Sequence, residues 1–146
     1  MTPEKLFHEM LGLGMNWEVK ECGFDRKEGV VRLVVAETKH LWENERSPEA
    51  GAKVNCYDHT EELVWRHLNV FEHKCEVRCR LPRGKCSESG KVYRVRPPWE
   101  GLSKHFTQSF EAMALLLMRE MSVSAAGRMV KENDTRLWRI LKAHVD

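Results

Sequence analysis

The sequence predicts an α+β protein: an N-terminal helix and a small antiparallel, ribbon-like β region, followed by a unit of three helices. Three observations carry this. Lys74 to Leu81 alternates strictly between charged and apolar residues, the period of a half-buried strand. Pro97-Pro98 ends the β-rich part, because a proline pair extends neither a ladder nor a helix. Beyond it, apolar residues recur at helical spacing in three runs, each preceded by a capping residue: Thr107, Ser122 and Asn133. The expected division is residues 1–99 for the helix and β region and 100–146 for the helices.

The elements follow in order. Thr2-Pro3-Glu4 starts a helix with a hydroxyl cap, a proline at the first helical position and an acid at the positive end of the dipole. Leu6, Phe7, Met10 and Leu11 give it one apolar face, and Gly12 and Gly14 stop it. Trp17–Phe24 and Val30–Val35 read as a hairpin around the polar turn Asp25–Gly29. Residues 36–62 lack a clean period and read as mostly irregular, with a loop at Ser47–Gly51. Val64–Leu68 is strand-like. In the alternating strand, Cys75, Val77, Cys79 and Leu81 face inward; Pro82–Lys85 turns the chain, and Val92–Val95 is a last short strand. Met113–Met118 is apolar nearly all round, which makes the first of the three helices central.

Composition narrows the function classes. The chain has 146 residues and a net charge of +2, with 32% charged residues. No apolar run approaches the ~18 residues of a membrane span, and no secretory signal opens the chain, so a cytoplasmic protein is expected. Five cysteines, an odd number, argue against a closed disulfide framework. Charge is uneven: residues 1–62 carry a net of −5, residues 63–99 a net of +6, and residues 101–146 a net of +2. The basic segment holds Arg78, Arg80, Arg83, Lys85, Arg94 and Arg96, which suits either phosphate contact or a solvated strand face. No metalloprotease H-E-x-x-H, nucleophile-elbow G-x-S-x-G or phosphate loop is present, so no enzymatic constellation is read.

The three helices have helix-turn-helix geometry. The second, about Val123–Val130, is short, and Lys131-Glu132-Asn133 is of turn length. The third buries Leu137, Trp138, Ile140, Leu141 and Val145, leaving Thr135, Arg136, Arg139 and Lys142 outward. Arginine can reach guanine O6 and N7 bidentately, and lysine can meet phosphate. Arg128 and Lys131 add candidate phosphate contacts, with Arg83 and Lys85 from the β region. An ordinary three-helix bundle with a basic solvated face fits the same pattern.

Several segments, in order, carry a resemblance: Trp65-Arg66-His67-Leu68; Arg80 to Cys86; Val95 to Trp99; Phe106 to Ala112; Arg119 to Val123; and Asp134 to Arg139. Together they resemble the N-terminal region of insertion-sequence transposases of the ISL-three family, a zinc-binding segment followed by helix-turn-helix. The likeness runs from Leu6 to the end and is strongest from Trp65 onward. It implies binding to double-stranded DNA at the terminal inverted repeats of an element. Full-length transposase or a second copy would be further partners. In full-length members a ribonuclease-H-like domain with three catalytic carboxylates follows; this sequence stops at Asp146, so DNA binding without strand transfer is expected.

The zinc segment departs from the family. The family's first knuckle, Cys-Pro-x-Cys-Gly, is sought at Leu41–Ser47, which holds no cysteine. The second reads Cys86-Ser87-Glu88-Ser89-Gly90, with serine at the fourth position. Cys56 and His59, at C-x-x-H spacing, could join Cys86 and one of Cys75 or Cys79 in a substitute zinc site. The expectation is no metal, with Cys56, His59 and Cys86 apart and with Trp17, Phe24, Val31, Leu33, Val77, Cys79 and Tyr93 packed to compensate. The alternative to DNA binding is a protein-interaction domain that has kept the fold but no longer reads DNA.

Overall fold

The computed structural model describes residues 1–145. The elements are α1 (Pro3–Leu11), β1 (Trp17–Asp25), β2 (Val30–Glu37), α2 (Lys39–Asn44), β3 (Val54–Val70), β4 (His73–Cys86), β5 (Val92–Arg94), α3 (Gln108–Glu120), α4 (Val123–Val130) and α5 (Asp134–Val145). The α+β class is as the sequence predicts. One sheet runs in the order β1-β2-β4-β3, and β5 pairs antiparallel with β4. No helix among the described residues is long and apolar enough to cross a membrane.

The chain folds as two compact units. One comprises Met1–Cys22, Leu33–Leu63 and Arg78–Pro98; the other comprises Gly23–Arg32, Val64–Val77 and Trp99–Asp146. The four long strands contribute residues to both, and the C-terminal helices share their unit with the tips of two strand pairs.

In the first unit, Thr2 Oγ1 accepts from the Lys5 amide at 3.1 Å and starts α1 as its sequence requires. Trp17, Leu33, Val35, Val54, Cys79 and Leu81 are buried. The alternation in β4 is real: Cys75, Val77, Cys79 and Leu81 all have no exposed surface. Two expectations fail here. The stretch read as irregular contains α2 and the first half of β3, so Cys56 and His59 lie on a strand. Pro82–Lys85 is not a turn, since β4 continues to Cys86. Pro82 takes part through its carbonyl, which accepts from the Val95 amide at 3.0 Å, and Gly84 leaves room for the Val54 side chain.

The compensating set is buried only in part. Trp17, Val31, Leu33, Val77 and Cys79 are buried, but Phe24 is 47% exposed and tilts against His73, with ring centroids 4.8 Å apart. Tyr93 is half-buried and donates its hydroxyl to the Arg46 carbonyl at 3.4 Å.

In the second unit, Phe106, Phe110, Ala114, Ala126, Leu137 and Ile140 form the helical core. Each of its large side chains stabilises the fold by about 1.5–3 kcal/mol. The expected all-round burial of α3 is not found: Met113 and Leu116 are 41% and 54% exposed, and only Phe110, Glu111 and Ala114 are buried. Trp138 is 54% and Val145 73% exposed, so neither belongs to the buried face of α5. With α3 packed along one stripe only, apolar type on its other positions does not bring burial.

Candidate nucleic-acid interface

The three helices start where their capping residues predict. Thr107 Oγ1 accepts from the Phe110 amide, Ser122 Oγ from Ala125, and Asn133 Oδ1 from Arg136, at 3.2, 3.1 and 2.8 Å. Between α4 and α5 the chain reverses through Lys131, which takes a left-handed conformation at φ 62°. The Glu132 amide then returns to the Gly127 carbonyl at 3.0 Å. Gly127 permits this approach: a Cβ there would stand 2.6 Å from the Glu132 carbonyl oxygen.

The turn is anchored by a residue of the segment Trp65-Arg66-His67-Leu68. Arg66, on β3, is 3% exposed. Its guanidinium donates to the Val130 carbonyl at the end of α4, pairs through Nε with Glu132 Oε2 at 3.3 Å, and lies over the Phe110 ring at 4.6 Å. Glu132 Oε1 faces Arg136 Nε, also at 3.3 Å. Nothing local announces this contact, because its partners lie far apart in sequence.

The rest of Trp65-Arg66-His67 makes the same seam. Trp65 Nε1 donates to Glu100 Oε2 at 3.0 Å, and its ring meets Trp99 edge-on. The backbone of Arg66 bonds to His105 and Thr107. His67 Nδ1 lies 2.7 Å from Thr107 Oγ1. The Thr107 oxygen already accepts from Phe110, so its proton is free for an unprotonated Nδ1. Burial, reinforced by the Arg66 charge, lowers His67 to about 4 and favours that neutral ring. Below, Glu111 is 2% exposed and accepts from the amides of Leu102 and Ser103, from Ser103 Oγ and from His144 Nε2. Burial would raise its pKa, but the bonds from Ser103 and His144 and from the two amides outweigh it and lower it overall. A Cβ on Gly101 would collide with this carboxylate.

The face of α5 opposite Leu137 and Ile140 carries Thr135, Arg139 and Lys142, all exposed and at i, i+4 and i+7. Arg136 differs: it is half-buried, paired with Glu132 and stacked over Phe106 at 4.8 Å. Arg128 is exposed and reaches Ser124 Oγ at 2.9 Å; Lys131 is exposed at the turn. Lys74 and His105, not singled out by sequence, line one depression with Arg136 and Arg139 and with the acids Glu76 and Glu132. On another side, Leu115, Met118, Met121, Val123, Trp138 and Leu141 line an apolar groove.

Two cations of the β region, Arg78 and Arg83, pair with acids. Arg83 grips the Asp58 carboxylate through Nε, at 2.6 Å, and Nη2, and lies over the Tyr57 ring. Arg78 pairs with Glu62 at 3.1 Å, and Arg80 donates to the Thr60 carbonyl. Lys85 is exposed beside Tyr57. The acidic and basic segments of the sequence thus meet across β3 and β4 in two partly exposed ion pairs.

Cys56 and His59 do come together, but with Glu37: ligand atoms of the three lie within 4.8 Å of one another, and His59 Nε2 is 2.6 Å from Glu37 Oε2. Cys86 is not in this group; it begins the turn Cys86–Gly90. The structural counterpart of that turn is Ser47–Gly51, not Leu41–Ser47, where α2 lies. Cys75 and Cys79 are buried on the inward face of β4, and all five cysteines are free thiols.

The chain matches no curated protein and no solved structure. A family model does match, and its span takes in the loop before α3, the three caps, the Lys131 turn and α5 to Val145. Residues 103–145 match the model of the helix-turn-helix domain of transposase family ISL3.

Proposed function

We propose that the protein binds double-stranded DNA through α5, which enters the major groove, and that its target is the terminal inverted repeat of a transposable element. The observation that carries this is the outward face of α5, where Thr135, Arg139 and Lys142 stand free of the core on a helix whose start is fixed by a cap and a braced turn. Arg139 is the base reader. Arg136, held by Glu132 and Phe106, orients the start of α5 and contacts the backbone from its edge. Arg128, Lys131 and Lys142 meet phosphates. Arg83 and Lys85 are phosphate contacts of the other unit, with Lys85 the stronger because Asp58 already holds Arg83. The reading assigns binding to these residues and no step of strand transfer. It places the protein on DNA in the cytoplasm, in competition with full-length transposase for element ends.

Fluorescence anisotropy on an element-end duplex and a scrambled duplex, at matched salt, tests this. Preference for the element end is expected. Arg139→Ala should cost about 1–3 kcal/mol on the element end and narrow the difference between the duplexes. Lys131→Ala should weaken both alike and reduce the salt slope by about one. Retained preference in Arg139→Ala would remove α5 as the reader.

The apolar groove beside Trp138 favours a second reading, in which this surface receives a protein partner. Equal affinity for both duplexes would support it.

A further inference from the structure

The segments Ser47–Ala52 and Cys86–Lys91 are one turn built twice. In each, the amide of the first residue donates to the carbonyl of the sixth at 2.9 Å. In each, a glycine at the fifth position returns its amide to the first carbonyl, at 2.9 Å for Gly51 and 3.0 Å for Gly90. Both glycines are left-handed, at φ 63° and 72°. Each turn closes an antiparallel pair at the same spacing, Arg46 with Lys53 and Lys85 with Val92. The Ser87 amide donates to the Lys53 carbonyl at 3.0 Å and joins the two turns.

Two such loops, offering side chains from their first and fourth positions, form the frame in which structural zinc is held by four thiolates. The resemblance to a zinc-binding segment implies such an ion. The donors do not fit it: the four positions are Ser47, Ala50, Cys86 and Ser89, which offer two hydroxyls, a methyl and one thiol. The nearby Glu49 carboxylate already accepts from Ser89 Oγ at 2.7 Å.

What occupies the junction is a closed set of hydrogen bonds. Ser47 and Cys86 are 3% and 2% exposed. The Ser47 hydroxyl accepts from the Ala52 amide at 3.1 Å. The Ser89 amide donates to the same sulfur at 3.4 Å, while the Ser89 oxygen accepts from the Lys91 amide. Both hydroxyl oxygens thus accept a backbone amide of their own turn.

We propose that the twin turns are a metal-free clasp, in which the Ser87 amide bonds to the Lys53 carbonyl and the Ser89 hydroxyl to the Glu49 carboxylate, joining the two loops where a tetrahedral ion would otherwise do so. The frame persists although the ligands do not. The bonds from Ser47 and Ser89 also bring the Cys86 thiol down to about 7, so the sulfur is a strong acceptor near neutral pH.

The test uses the full chain with Cys56→Ser, which removes the thiol that stands beside His59 and Glu37. In that background, chelator should leave the unfolding midpoint unchanged, and Co(II) should give no thiolate-to-metal absorption. Adding Ser47→Cys, Ala50→Cys and Ser89→Cys should create a site for one Co(II) or Zn(II) per chain, with thiolate charge-transfer bands and a midpoint that rises with zinc and falls in chelator. A chelator-sensitive parent, or parent binding of zinc that Cys86→Ser abolishes, would overturn the proposal. So would a folded triple variant without the bands. Should the triple variant not fold, Ser47→Cys alone decides. With oxidised glutathione as oxidant, its new thiol should form a disulfide with Cys86, seen as the loss of two hydrogens by mass; no cross-link would refute the convergence of the turns.

Discussion

The turn between α4 and α5 and the twin turns of the β region are both short and both depend on glycine, yet they are held by different means. The helical turn is braced by charge: Arg66 and Glu132 pair out of water, and Arg66 also closes the end of α4. The twin turns are held by hydroxyls, amides and one sulfur, with Glu49 accepting from Ser89 at the edge. A buried ion pair contributes little net stability over an apolar pair of the same shape, but removing one partner strands the other. A neutral hydrogen bond contributes about 1 kcal/mol, and stranding one buried partner costs about 1–3 kcal/mol, still less than stranding a charge. The difference teaches that the turn that sets the start of α5 rests on a buried charge pair, while the twin turns rest on hydrogen bonds to backbone amides and carbonyls.

The largest effect should come from splitting the charged brace. Glu132→Leu leaves Arg66 buried without its carboxylate and also releases Arg136. A loss of about 3–5 kcal/mol in urea unfolding is expected. Ser47→Ala, on the neutral side, should cost about 1–3 kcal/mol. Similar losses in the two variants would erase the contrast.

The next effect sharpens the same contrast through pH. The unfolded chain protonates His67 near the ordinary 6.5, whereas the folded chain resists until about 4, because of burial and the Arg66 charge. In that window the unfolded state binds the extra proton, so stability is complete above about pH 6.5 and falls as pH drops toward 4, by at most about 3 kcal/mol. The lowered carboxyl of Glu111 adds a further loss only at the acid end, as pH falls below the ordinary carboxylate range. Urea midpoints at pH 7.5, 6 and 5 should decline in the parent and stay flatter in His67→Asn. Parallel declines would show that His67 is not the sensing group.

How much of this could be read in advance depends on how local each signal is. The caps at Thr2, Thr107, Ser122 and Asn133 act within three residues, and each was legible as a type of residue before a helical run. The inward run of β4 was legible because burial on one face imposes a period of two. β3 was not: from Asn55 to Glu62 its residues are exposed or half-exposed, since it lies at the end of the order β1-β2-β4-β3 and is tied by Asp58 and Glu62 rather than by apolar burial. The likeness of Ser47–Gly51 to the Cys86 turn was not legible, because only Glu49 and Gly51 recur there, as Glu88 and Gly90. Arg66 and Glu132 sit 66 positions apart, and no sequence period links them. For α5, the periodicity placed Arg139 outward correctly and Trp138 inward wrongly, because an aromatic residue at the margin of an apolar face can stay open to solvent.

The smallest effect tests the cap alone. Asn133 does two things at the start of α5: its side chain accepts from the Arg136 amide at 2.8 Å, and its carbonyl accepts the first helical bond from Leu137 at 3.2 Å. Alanine keeps the second and removes the first, so Asn133→Ala should cost about 1 kcal/mol, a midpoint shift of about 2–4 °C for a chain of this size. Asn133→Ser should restore most of it, because a hydroxyl reaches the same amide. The brace at Glu132 is untouched in both variants, so the turn should stay formed and only the first residues of α5 should loosen. DNA affinity should therefore fall less for Asn133→Ala than for Arg139→Ala. If Asn133→Ala instead costs as much as Glu132→Leu, the cap and not the buried charge positions α5, and the contrast between the two kinds of turn fails at its charged end.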